Sequence, residues 1–212
     1  MPRSIHEILH SCPVIPVMVI NSVDSAVPLA DALVQGGLKV LEITLRTEAA
    51  LTAIREIKNA VPEAIVGAGT VINPQSLERA LAAGAEFLVS PGMTDSLLDA
   101  AIERGTPILP GVVSPSEVMR LLDRGITAMK FFPAEAAGGI PMLKSIAGPL
   151  PEAIFCPTGG IKPENARAYL ALENVACVGG SWMAPSDLVD RGDWTEITQR
   201  AAQAAALTDP HG

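Results

Sequence analysis

Aromatic residues are scarce in this chain: four phenylalanines, two tryptophans and one tyrosine make up 3% of its 212 residues. None interleaves with a basic run, as a stacking platform for single-stranded nucleic acid requires. Basic charge is also in short supply. Fifteen Lys and Arg against 23 Asp and Glu leave a net charge of −8, which repels a phosphate backbone over most of the surface and argues against a nucleic-acid partner. A small anionic metabolite feels its local site more than the net charge and stays compatible with this balance.

The apolar runs are short. The longest, around Val14 to Ile20 and Ala64 to Ile72, stop well before the ~20 residues that span a bilayer, so a membrane partner is not expected. His6, Glu7 and His10 interrupt the N-terminus before any apolar stretch that could serve as a secretory signal. Cys12, Cys156 and Cys177 are odd in number and widely separated, which predicts reduced thiols in a cytosolic protein. His6, His10 and His211 are the only histidines and lie near the termini, which argues against a histidine base or a histidine metal site. There is no Gly-x-Ser-x-Gly elbow and no Walker-type loop.

What remains is ordinary globular material, 49% hydrophobic and 18% charged. At roughly 150 residues per domain we read residues 1–212 as one domain, able to bury about 70% of its unfolded surface. Short β-branched runs recur with amphipathic helical segments between them. The expected strands are Val14–Ile20, Lys39–Leu45, Ala64–Thr70, Phe87–Pro91, Pro107–Val112, Ala128–Ala134, Ala153–Thr158 and Val175–Gly180. Asn73-Pro74 and Ser114-Pro115 read as helix starts, the second with Glu117 as a capping box. Gly36-Gly37, Gly84, Gly105 and Gly125 read as helix stops. Eight alternating units, with no Gly-x-Gly-x-x-Gly after the first strand, favour a (β/α)8 TIM barrel over a doubly wound sheet. Met1 to Ser11 is expected to be a short helix covering the bottom of that barrel.

Strand parity then isolates polar residues where a barrel interior should be apolar. In the second expected strand, Leu41, Ile43 and Leu45 share the helix-facing side, which turns Glu42, Thr44 and Arg46 inward toward the C-terminal mouth. In the sixth, Lys130 and Phe132 share one face, opposite Met129 and Phe131. A lysine in mid-strand needs a partner carboxylate or a lowered pKa, and a neutral amine there is a nucleophile toward ketones. A structural ion pair of Lys130 with Glu42, or of Glu42 with Arg46, is the competing explanation. The seventh and eighth strands end in Cys156-Pro-Thr-Gly-Gly160 and Val178-Gly-Gly-Ser181, where paired glycines expose N–H groups before helices; barrels bind phosphate there.

Gly37-Leu-Lys-Val-Leu-Glu-Ile-Thr-Leu-Arg46 and Gly125-Ile-Thr-Ala-Met-Lys-Phe-Phe-Pro-Ala134 resemble the two signatures of the KDPG/KHG aldolase family. Val66-Gly-Ala-Gly-Thr70, Val89-Ser-Pro-Gly92, Phe155-Cys-Pro-Thr-Gly-Gly160 and Gly179-Gly-Ser-Trp182 follow its pattern in order. The resemblance covers nearly the whole chain. It implies a trimeric barrel enzyme, a class I aldolase that cleaves 2-dehydro-3-deoxy-6-phosphogluconate to pyruvate and glyceraldehyde 3-phosphate without a metal or other cofactor. By the matching motifs, Lys130 would form the Schiff base and Glu42 would be the general acid/base. Arg46 and Thr70 would hold the pyruvate carboxylate, and Pro91, Phe132 and Thr158 would line the pocket. Gly159, Gly160, Gly180 and Ser181 would contact the phosphate. The alternatives are 4-hydroxy-2-oxoglutarate as substrate, by the same chemistry, and a non-catalytic barrel that only binds a sugar phosphate.

Overall fold

The computed structural model describes residues 3–207. The Ser4 hydroxyl accepts from the Glu7 N–H while the Glu7 carboxylate accepts from the Ser4 N–H, and this capping box starts α1 (Ile5–Leu9). α1 buries Ile8 and Leu9, and its His6 Nε2 lies 2.7 Å from Thr127 Oγ1, just before a strand begins. It therefore covers the bottom of the strands as expected. It is shorter than Met1 to Ser11, and Met1 and Pro2 lie outside the described residues.

Strand and helix then alternate: β1 (Val14–Met18), α2 (Ala26–Gln35), β2 (Val40–Thr44), α3 (Ala50–Ala60), β3 (Ile65–Gly69), α4 (Pro74–Ala82), β4 (Phe87–Val89) and α5 (Asp95–Glu103). They continue as β5 (Ile108–Leu109), β6 (Gly111–Val112), α6 (Pro115–Leu122), β7 (Ala128–Phe131), α7 (Gly139–Ala147), β8 (Ile154–Pro157), α8 (Pro163–Leu170) and β9 (Val178–Gly180). Two helices close the described chain, α9 (Ser186–Arg191) and α10 (Trp194–Ala205). Gly192, at φ 67°, ends α9, and the Asp193 carboxylate caps α10 through the Glu196 N–H.

Every strand pairing is parallel. One sheet runs β5-β4-β3-β2-β1-β9 and the other β6-β7-β8. The expected fifth strand is thus corrected to two pieces, β5 and β6, separated by Pro110, which has no N–H to donate. Isolated bridges between Phe155 and Val175 and between Thr158 and Gly179 join β8 to β9. The structure is therefore an α/β fold of parallel strands curled in two abutting sheets, rather than one uninterrupted eight-stranded ladder.

Some strand ends also differ from the expected ones. β7 stops at Phe131 instead of Ala134, ahead of the Phe132–Pro133 bond, which is cis. β9 begins at Val178 instead of Val175. The helix signals hold: Asn73 and Ser114 cap α4 and α6 ahead of their prolines, and Ser114 and Glu117 form the capping box. Inside the curl, β3 presents only Gly67 and Gly69 to the C-terminal half. The Phe87 ring of β4 fills the space in front of Gly67, so an aromatic on one strand requires a glycine on the next.

Candidate active site

The site begins with two strands whose parity puts charge inside. On β2, Glu42 pairs in register with Val17 on one side and Gly67 on the other; on β7, Lys130 lies between Gly111 and Cys156. Both side chains point into the interior, 3% and 6% exposed. Lys130 Nζ donates to Glu42 Oε1 at 3.2 Å and lies 3.5 Å from Oε2. Each charge is the other's relief from burial. The Phe132 ring covers the amine from above, its centroid 5.5 Å from Nζ. The ion pair with Glu42 is therefore real, and the alternative Glu42–Arg46 pair is not formed.

Thr44, also turned inward, gives its hydroxyl to the Met18 carbonyl at 2.8 Å and so ties β2 to β1. Arg46 is exposed and takes part in no ion pair among the described residues, which leaves its guanidinium fork available to a ligand.

A cleft of about 200 Å³ opens beside the Phe132 ring that covers the amine; neither Lys130 nor Glu42 is in its lining. Arg46, Phe132, Thr158, Gly159, Gly160, Gly180 and Ser181 all line it, so seven of the eleven residues named from sequence meet there. Gly159 and Gly160 have φ of 99° and 79°, which only glycine adopts without strain. Thr70 and Pro91 stand at the ends of β3 and β4, outside the lining of this cleft. Thr70 has φ 60°, a strained value for a β-branched residue and one that clusters at functional sites. A larger cavity of about 850 Å³ shares Val17, Val19 and Ser181 with the cleft and, like it, is lined by neither Lys130 nor Glu42.

Sequence reasoning missed the residues that shape the site without carrying charge. A Cβ on Gly69 would lie 2.8 Å from Glu42 Cγ and Cδ, and one on Gly179 would lie 3.1 Å from Thr158 Cγ2. The Trp182 indole folds over Gly180, where a Cβ would lie 3.0 Å from the ring's Cη2. Glu135 packs against Gly160 and accepts a hydrogen bond from Tyr169. Glycines in strands whose φ is ordinary were the available signal, because such a glycine marks a close neighbour instead of a turn.

The three cysteines, distant in sequence, converge below Lys130. Cys156 is the register partner of Lys130, and burial pushes the Cys12 thiol up to about 12. The Cys177 thiol is also pushed up, by its hydrogen bond with Cys156 and by complete burial. All three are free.

Residues 5–200 match the family of KDPG and KHG aldolases. The chain is 55% identical to a 2-dehydro-3-deoxy-phosphogluconate aldolase of Pseudoalteromonas atlantica, over 96% of this chain and 94% of that one. It is 54% identical to a KHG/KDPG aldolase of Escherichia coli, over 95% and 94% of the two chains. Among solved structures it resembles the KDPG aldolase of Legionella pneumophila with pyruvate captured at low pH as a covalent carbinolamine intermediate. That likeness has a TM-score of 0.94 and 47% identity, and covers 97% of this chain and 100% of the other. The chain belongs to the KDPG and KHG aldolase family.

Proposed function

We propose that this chain is a lyase, a class I aldolase that cleaves 2-dehydro-3-deoxy-6-phosphogluconate to pyruvate and D-glyceraldehyde 3-phosphate, with Lys130 as its nucleophile. The observation that carries this is a buried amine 3.2 Å from a buried carboxylate, covered by the Phe132 ring, which itself lines a cleft together with the glycine loop and Arg46, an arginine in no ion pair among the described residues. A purely structural ion pair needs no such opening beside its cover.

The chemistry follows from the geometry. Lys130 Nζ gives a proton to Glu42 and adds to the C2 ketone; Glu42 returns the proton as the carbinolamine loses water to form the iminium. With the iminium as electron sink, Glu42 removes the C4 hydroxyl proton, the C3–C4 bond breaks and the aldehyde leaves. The resulting enamine is protonated at C3, and hydrolysis of the iminium releases pyruvate and regenerates the amine. Arg46 offers its planar fork to the C1 carboxylate and so orients the ketone, with Thr70 beside it. Phe132, Thr158 and Pro91 shape the pocket, and Phe132 excludes water from the amine. Gly159, Gly160, Gly180 and Ser181 hold the phosphate by N–H and hydroxyl donors.

The parallel order of the strands and the bridges from β8 to β9 support closure of the two sheets into one (β/α)8 barrel forming a single domain. Assembly as a homotrimer is supported by apolar side chains left uncovered, Ile72 after β3 and Met119 on α6 each 55% exposed, with Val113 exposed after β6. A cytoplasmic location is supported by three free thiols, and no helix among the described residues is long and apolar enough to cross a membrane.

The test is borohydride reduction in the presence of pyruvate, followed by peptide mass analysis. A pyruvate adduct on the peptide carrying Lys130, lost together with cleavage in Lys130→Ala, is the expected result. Normal cleavage by Lys130→Ala would refute the assignment.

A further inference from the structure

Tyr169 is the only tyrosine of the chain and is fully buried in α8, where its hydroxyl needs a partner. It donates to the Glu135 carboxylate, which is thereby held between α7 and α8. Burial first, and then this hydrogen bond, push the Tyr169 pKa up, so the phenol remains a donor throughout the physiological range. Two glycines clear the path. A Cβ on Gly139 would lie 2.9 Å from the Tyr169 hydroxyl, and one on Gly160 would lie 2.6 Å from Glu135 Cγ and 2.8 Å from its Cβ.

Glu135 is thus in van der Waals contact with the glycine loop that lines the cleft. Its own N–H donates to the Gly159 carbonyl at 3.1 Å, while the Asn165 amide donates to the Gly160 carbonyl at 3.1 Å from the other side. The residues lining the cleft include one charged side chain, Arg46. A phosphate at the glycine end would be met by neutral donors alone, and a carboxylate turned toward it would repel it with little to offset the effect. Glu135 is itself exposed and its Cβ and Cγ already lie against Gly160, so a carboxylate released from the phenol is free to turn toward that end.

We propose that Tyr169 is a specificity-determining residue: by holding the Glu135 charge away from the glycine loop, it admits a phosphorylated substrate that the freed carboxylate would exclude. This rests on the assignment of Gly159 and Gly160 to the phosphate. The pair touches neither Lys130 nor Glu42, so its influence falls on the remote end of the substrate and not on the reacting carbons.

The test compares three activities in Tyr169→Phe. They are cleavage of 2-dehydro-3-deoxy-6-phosphogluconate, cleavage of unphosphorylated 4-hydroxy-2-oxoglutarate, and exchange of the pyruvate methyl protons. We expect KM for the phosphorylated substrate to rise about tenfold with kcat within about twofold, and the other two activities to stay within about twofold. In Tyr169→Phe/Glu135→Gln the charge is gone and KM should return to within about threefold of wild type. Glu135→Gln alone keeps an acceptor for the phenol and should leave KM unchanged. Failure of Tyr169→Phe to raise that KM, an equal loss on all three activities, or no recovery in the double variant would overturn the proposal. If Tyr169→Phe does not fold, Glu135→Lys, which reverses the charge, must lower KM for the phosphorylated substrate alone or the proposal falls. Ser181→Ala run in parallel separates the two readings. A rise in KM there with none in Tyr169→Phe removes the Tyr169 role alone, and no rise in either removes the phosphate assignment as well.

Discussion

The Glu42 side chain lies over Gly69, in the space that any larger residue on the neighbouring strand would occupy. Gly69 has no positive φ, so its backbone does not require glycine; the carboxylate does. Gly69→Ala is therefore expected to displace Glu42 from Lys130. A misplacement of about 1 Å costs on the order of a hundredfold in rate. Steady-state kinetics should show that loss in kcat, while borohydride with pyruvate still traps Lys130; an unchanged kcat would show that Glu42 can sit elsewhere.

Removing the carboxylate's proton chemistry without its volume is the complementary test. Glu42→Gln keeps the shape and a hydrogen-bond acceptor 88 residues from Lys130 in sequence but adjacent in space. Cleavage should fall by about 10² to 10⁴, the usual worth of a positioned acid/base group. The lysine should stay trappable in long incubations, and wild-type turnover in this variant would remove Glu42 from the mechanism.

Arg46 forms no ion pair among the described residues and lines the cleft, so its fork is free for a planar carboxylate. Arg46→Lys retains the charge but loses the bidentate geometry. KM for cleavage and for pyruvate exchange should both rise, by roughly tenfold. An effect on only the phosphorylated substrate would place Arg46 at the opposite end of the cleft.

The buried thiols should be inert in the folded protein. With its thiol pushed up to about 12, Cys12 is roughly one part in ten thousand thiolate at pH 8. Cys177 is shifted in the same direction. A disulfide reagent at pH 8 should label these cysteines slowly in buffer and rapidly in denaturant. Rapid labelling of the native protein would show that the interior below Lys130 opens.

The cap of α6 should make stability depend on pH. Burial would raise the Glu117 pKa, but hydrogen bonds from Val113 and Ser114 outweigh it and hold the carboxylate below its ordinary 4.5. A depressed carboxylate contributes stability above its unfolded pKa, and the contribution is lost as pH falls through the folded value. Glu117→Ala should cost about 1 kcal/mol at pH 7. Urea midpoints of variant and wild type should converge at pH 3; a gap that persists there would mean the carboxylate's charge is not what matters.

Much of the site was legible because strand periodicity is local. Alternation alone turned Glu42 and Lys130 inward, and both are inside. Proline punctuation located the starts of α4 and α6 to the residue, while the glycine signals Gly84 and Gly125 fall two and three residues beyond their ends. Pro110 shows the limit: a run of β-branched and apolar residues reads as one strand, yet a missing N–H divides it into β5 and β6, which pair with different neighbours. Glu135 and Tyr169 were invisible for another reason. A glutamate after a strand and a tyrosine on a helix carry no pattern until α7 and α8 bring them together.

From its order of residues alone, this chain determined that strands and helices alternate, which strand faces carry charge, and that a lysine and a carboxylate are the reactive candidates. Those are consequences of repeat lengths within single segments. Only the tertiary structure decided that Lys130 meets Glu42 and not Arg46, that Gly69 clears space for that carboxylate, and that Tyr169 restrains Glu135. Distances across the interior depend on how neighbouring strands pair and curl, which no segment encodes by itself.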